Sequence, residues 1–117
     1  MRLPRKFSMT QRAEFARCRE FGESRPGRYL VLSVLHEVEL DHFRTGFITT
    51  KKVGKAHQRN LLRRRFRTIM QKHGEKISPH YYIVTIARWR AIEASYAELE
   101  ADWLKQAKKI GVIVSDH

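Results

Sequence analysis

Lys51, Lys52 and Lys55 surround Val53 and Gly54, and Arg59, Arg63, Arg64, Arg65 and Arg67 follow, with no Asp or Glu anywhere from Lys51 to Met70. The chemistry open to such a run is the holding of anions by charge and hydrogen bonds. Gly54 adds a point where backbone can approach a phosphate closely, although glycine among lysines is common in turns and the loop alone says little. Chemistry of other kinds has no matching residues. No paired carboxylates lie in the basic region, and the six His are scattered rather than set at metal-ligand spacing. His57 and His73 fall inside the basic segment, where exposure or contact with an anion is a simpler role than catalysis. Cys18 is the sole cysteine, so an intramolecular disulfide and a cysteine-rich zinc site are both ruled out. A cysteine in a helix is most simply a small packed hydrophobe.

Charge over the whole chain points the same way. The 117 residues carry a formal net charge of +12, far from ordinary solubility tuning, and a polyanion is the simplest partner for that surface. Nucleic acid comes before an acidic membrane. The asymmetry is local: His42 to Gly74 holds ten Lys or Arg and no acid, whereas Trp89 to His117 holds four basic and five acidic residues. No stretch approaches the roughly 20 apolar residues of a membrane span, and MRLPRKFSMT lacks the apolar run of a secretion signal, so a cytoplasmic protein is expected. With 42% apolar residues the length supports one core, and a single domain over 1–117 is expected.

Three helices and at least three strands must position the basic segment. The first helix is predicted to start at Ser8 or Thr10, either able to cap it, and to reach Phe21 before Gly22 and an SRPG turn. Phe15, Cys18 and Phe21 would form its buried edge. RYLVLSVLH, residues 28–36, reads as a strand with Tyr29, Val31 and Ser33 on one face and Leu30, Leu32 and Val34 on the other. FRTGFITTK, residues 43–51, reads as its antiparallel neighbour, joined through the acidic EVELD segment. YYIVTIAR, residues 81–88, supplies a third strand. In SYAE, Ser95 and Glu98 fit a capping box opening the last helix, whose apolar stripe is Tyr96, Leu99, Trp103, Ala107 and Ile110.

At 100° per residue the basic segment forms a helix with Leu62, Phe66, Ile69 and Met70 on one side and Asn60, Arg64, Arg67 and Gln71 opposite. Arg63 lies on one flank, Arg65 and Lys72 on the other. Arg59 falls near the apolar stripe, so either its stem snorkels or its guanidinium reaches over the sheet edge to a partner. An ordinary solvated face mixes signs to gain pairs four residues apart, and this one forgoes them. A face that repels itself is built for a polyanion. Because the helix follows a strand and the loop KKVGK rather than a short helix and tight turn, a DNA-reading helix-turn-helix does not fit.

RTGFITTKKVGKAHQRNLLRRRFR resembles the signature of the protein subunit of bacterial ribonuclease P: a strand, paired lysines, Gly-x-Ala-x-x-Arg-Asn and a basic helix. A Phe-containing helix before it and a YYIVTIAR-type strand ending in Arg after it extend the resemblance over nearly the whole chain. Two departures stand out. The family's Arg-Asn-Arg is here Arg59, Asn60, Leu61, with Arg63 or Arg64 placed to compensate. A second aromatic one turn after Phe15 is replaced by Arg19, which shifts the adjoining cleft from stacking towards charge.

The resemblance implies an α+β fold. It would be a single-domain α/β sandwich with a central mixed sheet and three helices, like a domain of a small-subunit ribosomal protein, with a left-handed β-α-β crossover where the general rule gives the other hand. It implies a catalytic RNA subunit as partner, with precursor tRNA as substrate, and neither membrane nor DNA. RNA-subunit contacts would fall on Lys51, Lys52, Lys55, Arg59, Asn60, Arg63, Arg64 and Arg67. A cleft for the single-stranded 5′ leader would fall on Phe15, Arg19, Tyr29, Val31 and Ser33, with Arg12, Ile86 and Arg88 as further candidates. An aromatic face stacks any base while cations follow the backbone, which suits an unpaired strand. Phe15 has an equally simple reading as core packing. No catalytic side chain and no tightly held cofactor are expected on the protein. Mg²⁺ would sit at the RNA active site, with Asn60 a candidate for orienting a hydrated metal or a backbone oxygen. A ribosomal or general RNA-binding protein would share fold and charge without preferring precursor tRNA, and a free-standing nuclease would cut without RNA.

Overall fold

The computed structural model describes residues 5–113. Three helices, α1 (Arg12–Phe21), α2 (Ala56–His73) and α3 (Tyr96–Ile110), surround a sheet of β1 (Glu23–Pro26), β2 (Leu30–His36), β3 (Arg44–Ile48) and β4 (Tyr81–Ala87). Strand order is β1-β2-β4-β3. β2 runs antiparallel to β1 and β4, and β3 runs parallel to β4. The expected antiparallel pairing of residues 43–51 with 28–36 is therefore wrong. β4, made from residues nearly forty positions later, is inserted between those two strands. Alternation states which face of a strand is buried but not which strand lies at its edge. The parallel pair needs a crossover, and α2 is that crossover.

α2 and α3 cover one face of the sheet and α1 the other. On the first face Leu30, Leu32, Val34 and Ile83 meet Leu62, Phe66, Ile69 and Met70 of α2 and Leu99, Trp103 and Ala107 of α3, all buried. The apolar stripe of α2 is thus as its periodicity predicts. Trp103 lies fully buried, its indole N–H donating to the Thr85 hydroxyl at 3.2 Å. That bond satisfies the polar atom of the largest core side chain and fixes α3 over the middle of β4. Tyr96 and Ile110 flank the core half-buried, and the Ser95–Glu98 capping box is present. On the other face Cys18, Met9 and Val84 form a smaller cluster with Phe15, Ile48 and Ile86 around it.

Three local expectations are corrected. The first helix is capped at Gln11 rather than at Ser8 or Thr10, with the Glu14 carboxylate accepting the N–H groups of Thr10 and Gln11 at 3.0 and 2.9 Å. Ser8 is committed elsewhere: it bridges to Thr45 and its carbonyl accepts from Arg44. The SRPG segment is mostly strand, since residues 23–26 pair with β2 and only the link at Gly27 turns. Phe21 is 66% exposed, so the buried edge of α1 ends at Cys18.

Candidate nucleic-acid interface

The basic ridge is built by a helix that spends one side on the core. Lys51 and Lys52 stand exposed in the turn before it, over a buried Val53 that anchors the loop. Gln58 closes the start of α2, its side-chain oxygen accepting the Lys55 N–H at 2.8 Å. Gly54 packs against that same Gln58 side chain, and an added Cβ would lie 2.6 Å from its oxygen. The glycine thus lets loop and helix meet, a local reason for Gly54 besides any approach of phosphate. Asn60, Arg64 and Arg67 are exposed and Arg63 partly so.

Salt bridges show which cations are free. Among the described residues, Lys51, Lys52, Lys55, Arg59, Arg63, Arg64 and Arg67 form none, while Lys72 and His73 both reach Glu100 of α3 at 3.0 Å. The Glu100 carboxyl is held below its usual range by the hydrogen bond from His73 and next by that from Lys72. Lys72 thus leaves the ridge and clamps α2 to α3. Arg65 is also committed, donating to the Ala94 carbonyl at 3.1 Å. Arg59 is half-buried, with its Nε enclosed and lacking a hydrogen-bond partner, beside the apolar stripe where the helical wheel places it. Arg67 lies 5.8 Å from the centroid of the Phe47 ring. Arg63 donates to the Asn60 side-chain oxygen at 2.6 Å, which engages that oxygen and leaves the amide of an exposed Asn60 with its N–H donors.

On the opposite face of the sheet a cleft of about 150 Å³ opens between α1 and the strands, lined by Phe15, Cys18, Arg19, Ser24, Ser33, Ile48, Val84 and Ile86. Phe15, Arg19, Ser33 and Ile86 are brought together here as the sequence suggests. Phe15 is half-buried, so it is neither a full core residue nor a free ring. Val31 is half-buried opposite Ile86 in register, and Arg12 lies on the same helical row as Phe15 and Arg19, three and seven residues back. Burial pushes the Cys18 thiol up to about 11, which leaves it an inert part of the cleft floor.

Tyr29 and Arg88 are placed differently. Tyr29 belongs to the α3 side: its hydroxyl donates to Glu98 at 3.0 Å and its N–H to Asp102 at 2.9 Å. The bond to Glu98 raises the phenol's pKa. It precedes the first residue of β2, so strand alternation does not govern where its side chain goes. Arg88 donates to the Gly27 carbonyl at 2.8 Å and so braces the β1–β2 turn. The cleft members that the sequence reading missed are Cys18, Ser24, Ile48 and Val84. Val84 was recoverable from its two-residue spacing to Ile86, but Ile48 enters only because parallel pairing sets it beside Ile86.

Fold and surface together define a small basic α+β protein with an acid-free basic ridge on one helix and a half-apolar cleft across the sheet. A model of the Ribonuclease P family matches residues 3–111, and the chain belongs to that family. A relative from Syntrophomonas wolfei named ribonuclease P protein component is 32% identical over 110 residues, covering 94% of this chain and 92% of its own. One from Halalkalibacterium halodurans with the same name is 35% identical over 100 residues, covering 86% and 84%. The solved RNase P protein of Staphylococcus aureus matches with a TM-score of 0.86 at 28% identity, covering 92% of this chain and 98% of that one. That of Thermotoga maritima matches at 0.80 and 26%, covering 88% and 96%. Their α+β fold is the one described above.

Proposed function

We propose that the chain is the protein subunit of a ribonuclease P holoenzyme, that α2 and its loop dock on the catalytic RNA, and that the α1 cleft holds the 5′ leader of precursor tRNA. The observation that carries this reading is the uncompensated charge: among the described residues Lys51, Lys52, Lys55, Arg59, Arg63, Arg64 and Arg67 form no salt bridge, although the same helix does pair Lys72 and His73 with Glu100. Acids are used where the helix meets the fold and withheld where it meets a partner. Counterion release from the RNA then drives association. Asn60, held by Arg63, offers a fixed donor for a backbone oxygen. The cleft supplies one partly exposed aromatic ring, one guanidinium and apolar walls, a set that takes a nucleotide without reading its edges.

In this reading hydrolysis belongs to Mg²⁺ held by the RNA subunit. The protein's part is to lower the repulsion among phosphates crowded there and to add binding energy that only a leader-bearing substrate receives. The site of action would be the cytoplasm, and no helix among the described residues is long and apolar enough to cross a membrane. The test is cleavage of a precursor tRNA by the purified chain, by the RNA subunit, and by both, with mature tRNA affinity measured in parallel. Cleavage by both together at low Mg²⁺, inertness of the chain alone and preference for precursor over mature tRNA are expected. Cutting by the chain alone would establish a nuclease instead, and binding without preference a general RNA-binding module.

A further inference from the structure

The sequence RWR at 88–90 lies where β4 ends, and its tryptophan has no use in the core. Trp89 is 57% exposed. The Arg90 guanidinium lies 4.9 Å from the ring centroid, so one side of the indole carries a cation and more than half of its surface meets water. Scattered exposed apolar residues are ordinary, but a largely exposed indole with a guanidinium stacked on it, near further arginines that have no acidic partner among the described residues, is a different object. Arg25 and Arg28 flank the β1–β2 turn that Arg88 braces, and among the described residues Arg25, Arg28, Arg88 and Arg90 form no salt bridge. Ile92, 38% exposed, follows in the same short 3-10 segment.

Position gives the patch a partner. Ile86 lines the cleft, and Trp89 follows three residues later, roughly 10 Å along an extended backbone. On the other side the segment 89–93 packs on α2, where Arg65 bonds Ala94. Leu61 lies one turn before Arg65 on the same helix row, and it is 43% exposed. Trp89 therefore follows the strand that lines the cleft and opens the segment that packs on the basic helix, the two surfaces proposed for RNA above. We infer that Trp89, backed by Arg90, is a stacking platform for one unpaired RNA nucleobase between the cleft and the basic helix. A ring with one cationic face offers its other face to any base, and the neighbouring arginines take the flanking phosphates.

The inference rests on the reading of the chain as an RNA-binding subunit, and the experiment separates the two. The chain holds two tryptophans, and Trp103 is fully buried, so quenching of intrinsic fluorescence by a single-stranded decauridylate reports Trp89. Saturable quenching is expected. Trp89→Phe should abolish the signal yet retain affinity, measured by anisotropy of a labelled oligonucleotide, within about two-fold. Trp89→Ala should weaken binding about ten-fold with an unchanged melting temperature. Holoenzyme assays with one-nucleotide and ten-nucleotide leaders identify the base: a loss confined to the long leader assigns it to the substrate, and an equal loss with weaker subunit association assigns it to the catalytic RNA. No quenching, wild-type binding by Trp89→Ala, or a loss explained by a lower melting temperature overturns the platform. If Phe15→Ala abolishes leader preference while Trp89→Ala behaves as wild type, the platform falls and the holoenzyme reading stands. If Trp89 is quenched but the holoenzyme shows no leader preference, that reading falls and the platform stands.

Discussion

The ring of Phe15 on α1 rests against the backbone of Gly46 on β3, so closely that a Cβ at position 46 would collide with two of its ring carbons. The glycine seats the ring; it is the absence of a side chain on the edge strand that sets how deep the cleft floor lies.

This contact makes Gly46→Ala a way to disturb the cleft without touching its lining. The ring must move outward or α1 must shift, and precursor affinity of the holoenzyme should fall while mature tRNA affinity holds. Phe15→Ala should cost roughly 1–3 kcal/mol of precursor affinity and no more than about 2 kcal/mol of folding stability, because the ring is only half-buried. Titrations with both tRNAs, alongside a thermal melt, check this. A stability loss of about 3–5 kcal/mol with equal damage to both affinities would assign Phe15 to the core instead.

Salt should weaken association with the catalytic RNA steeply. If six or more phosphates are neutralised by the ridge, affinity should drop on the order of 10³-fold between 50 and 200 mM monovalent salt. A filter-binding series gives the slope, and a flat response would remove the ridge from the interface.

Arg59 and Arg17 test whether position matters beyond charge. Arg17 already pairs with Glu37 at 3.2 Å, whereas Arg59 has no acid partner among the described residues. Arg59→Ala should reduce subunit association several-fold more than Arg17→Ala. Equal losses would mean that only total charge counts.

Glu100 ties α2 to α3, and its effect on stability has a definite pH direction. Its carboxyl is depressed from the usual 4.5 by the hydrogen bonds of His73 and Lys72. The native state therefore binds fewer protons here than the unfolded chain. The contribution is complete above about pH 4.5 and is lost as pH falls through the lower native value. Glu100→Gln should cost about 1–2 kcal/mol at pH 7 and flatten this part of the acid limb in urea melts across pH 3–6. An unchanged acid limb would show that the clamp is not formed in solution.

Much of the molecule could be read without coordinates because helices record their surroundings in local spacing. The stripe Leu62, Phe66, Ile69 and Met70 and the acid-free face opposite it were legible from a period of 3.6, and Ser95 with Glu98 announced the start of α3. Charge, likewise, was visible as composition. Tertiary structure alone decided which strand lies beside which, because period-two alternation carries no information about a strand's edge partner; hence β4 between β2 and β3, and Ile48 beside Ile86 at the cleft. It also decided which polar groups are already committed. The sequence does not show that Lys72, Arg65, Arg88 and Tyr29 are committed, and each is bound to a residue between 28 and 69 positions away. Partners at that range are set by how the layers pack, which is why the free cations of the ridge could be told from the structural ones only in three dimensions.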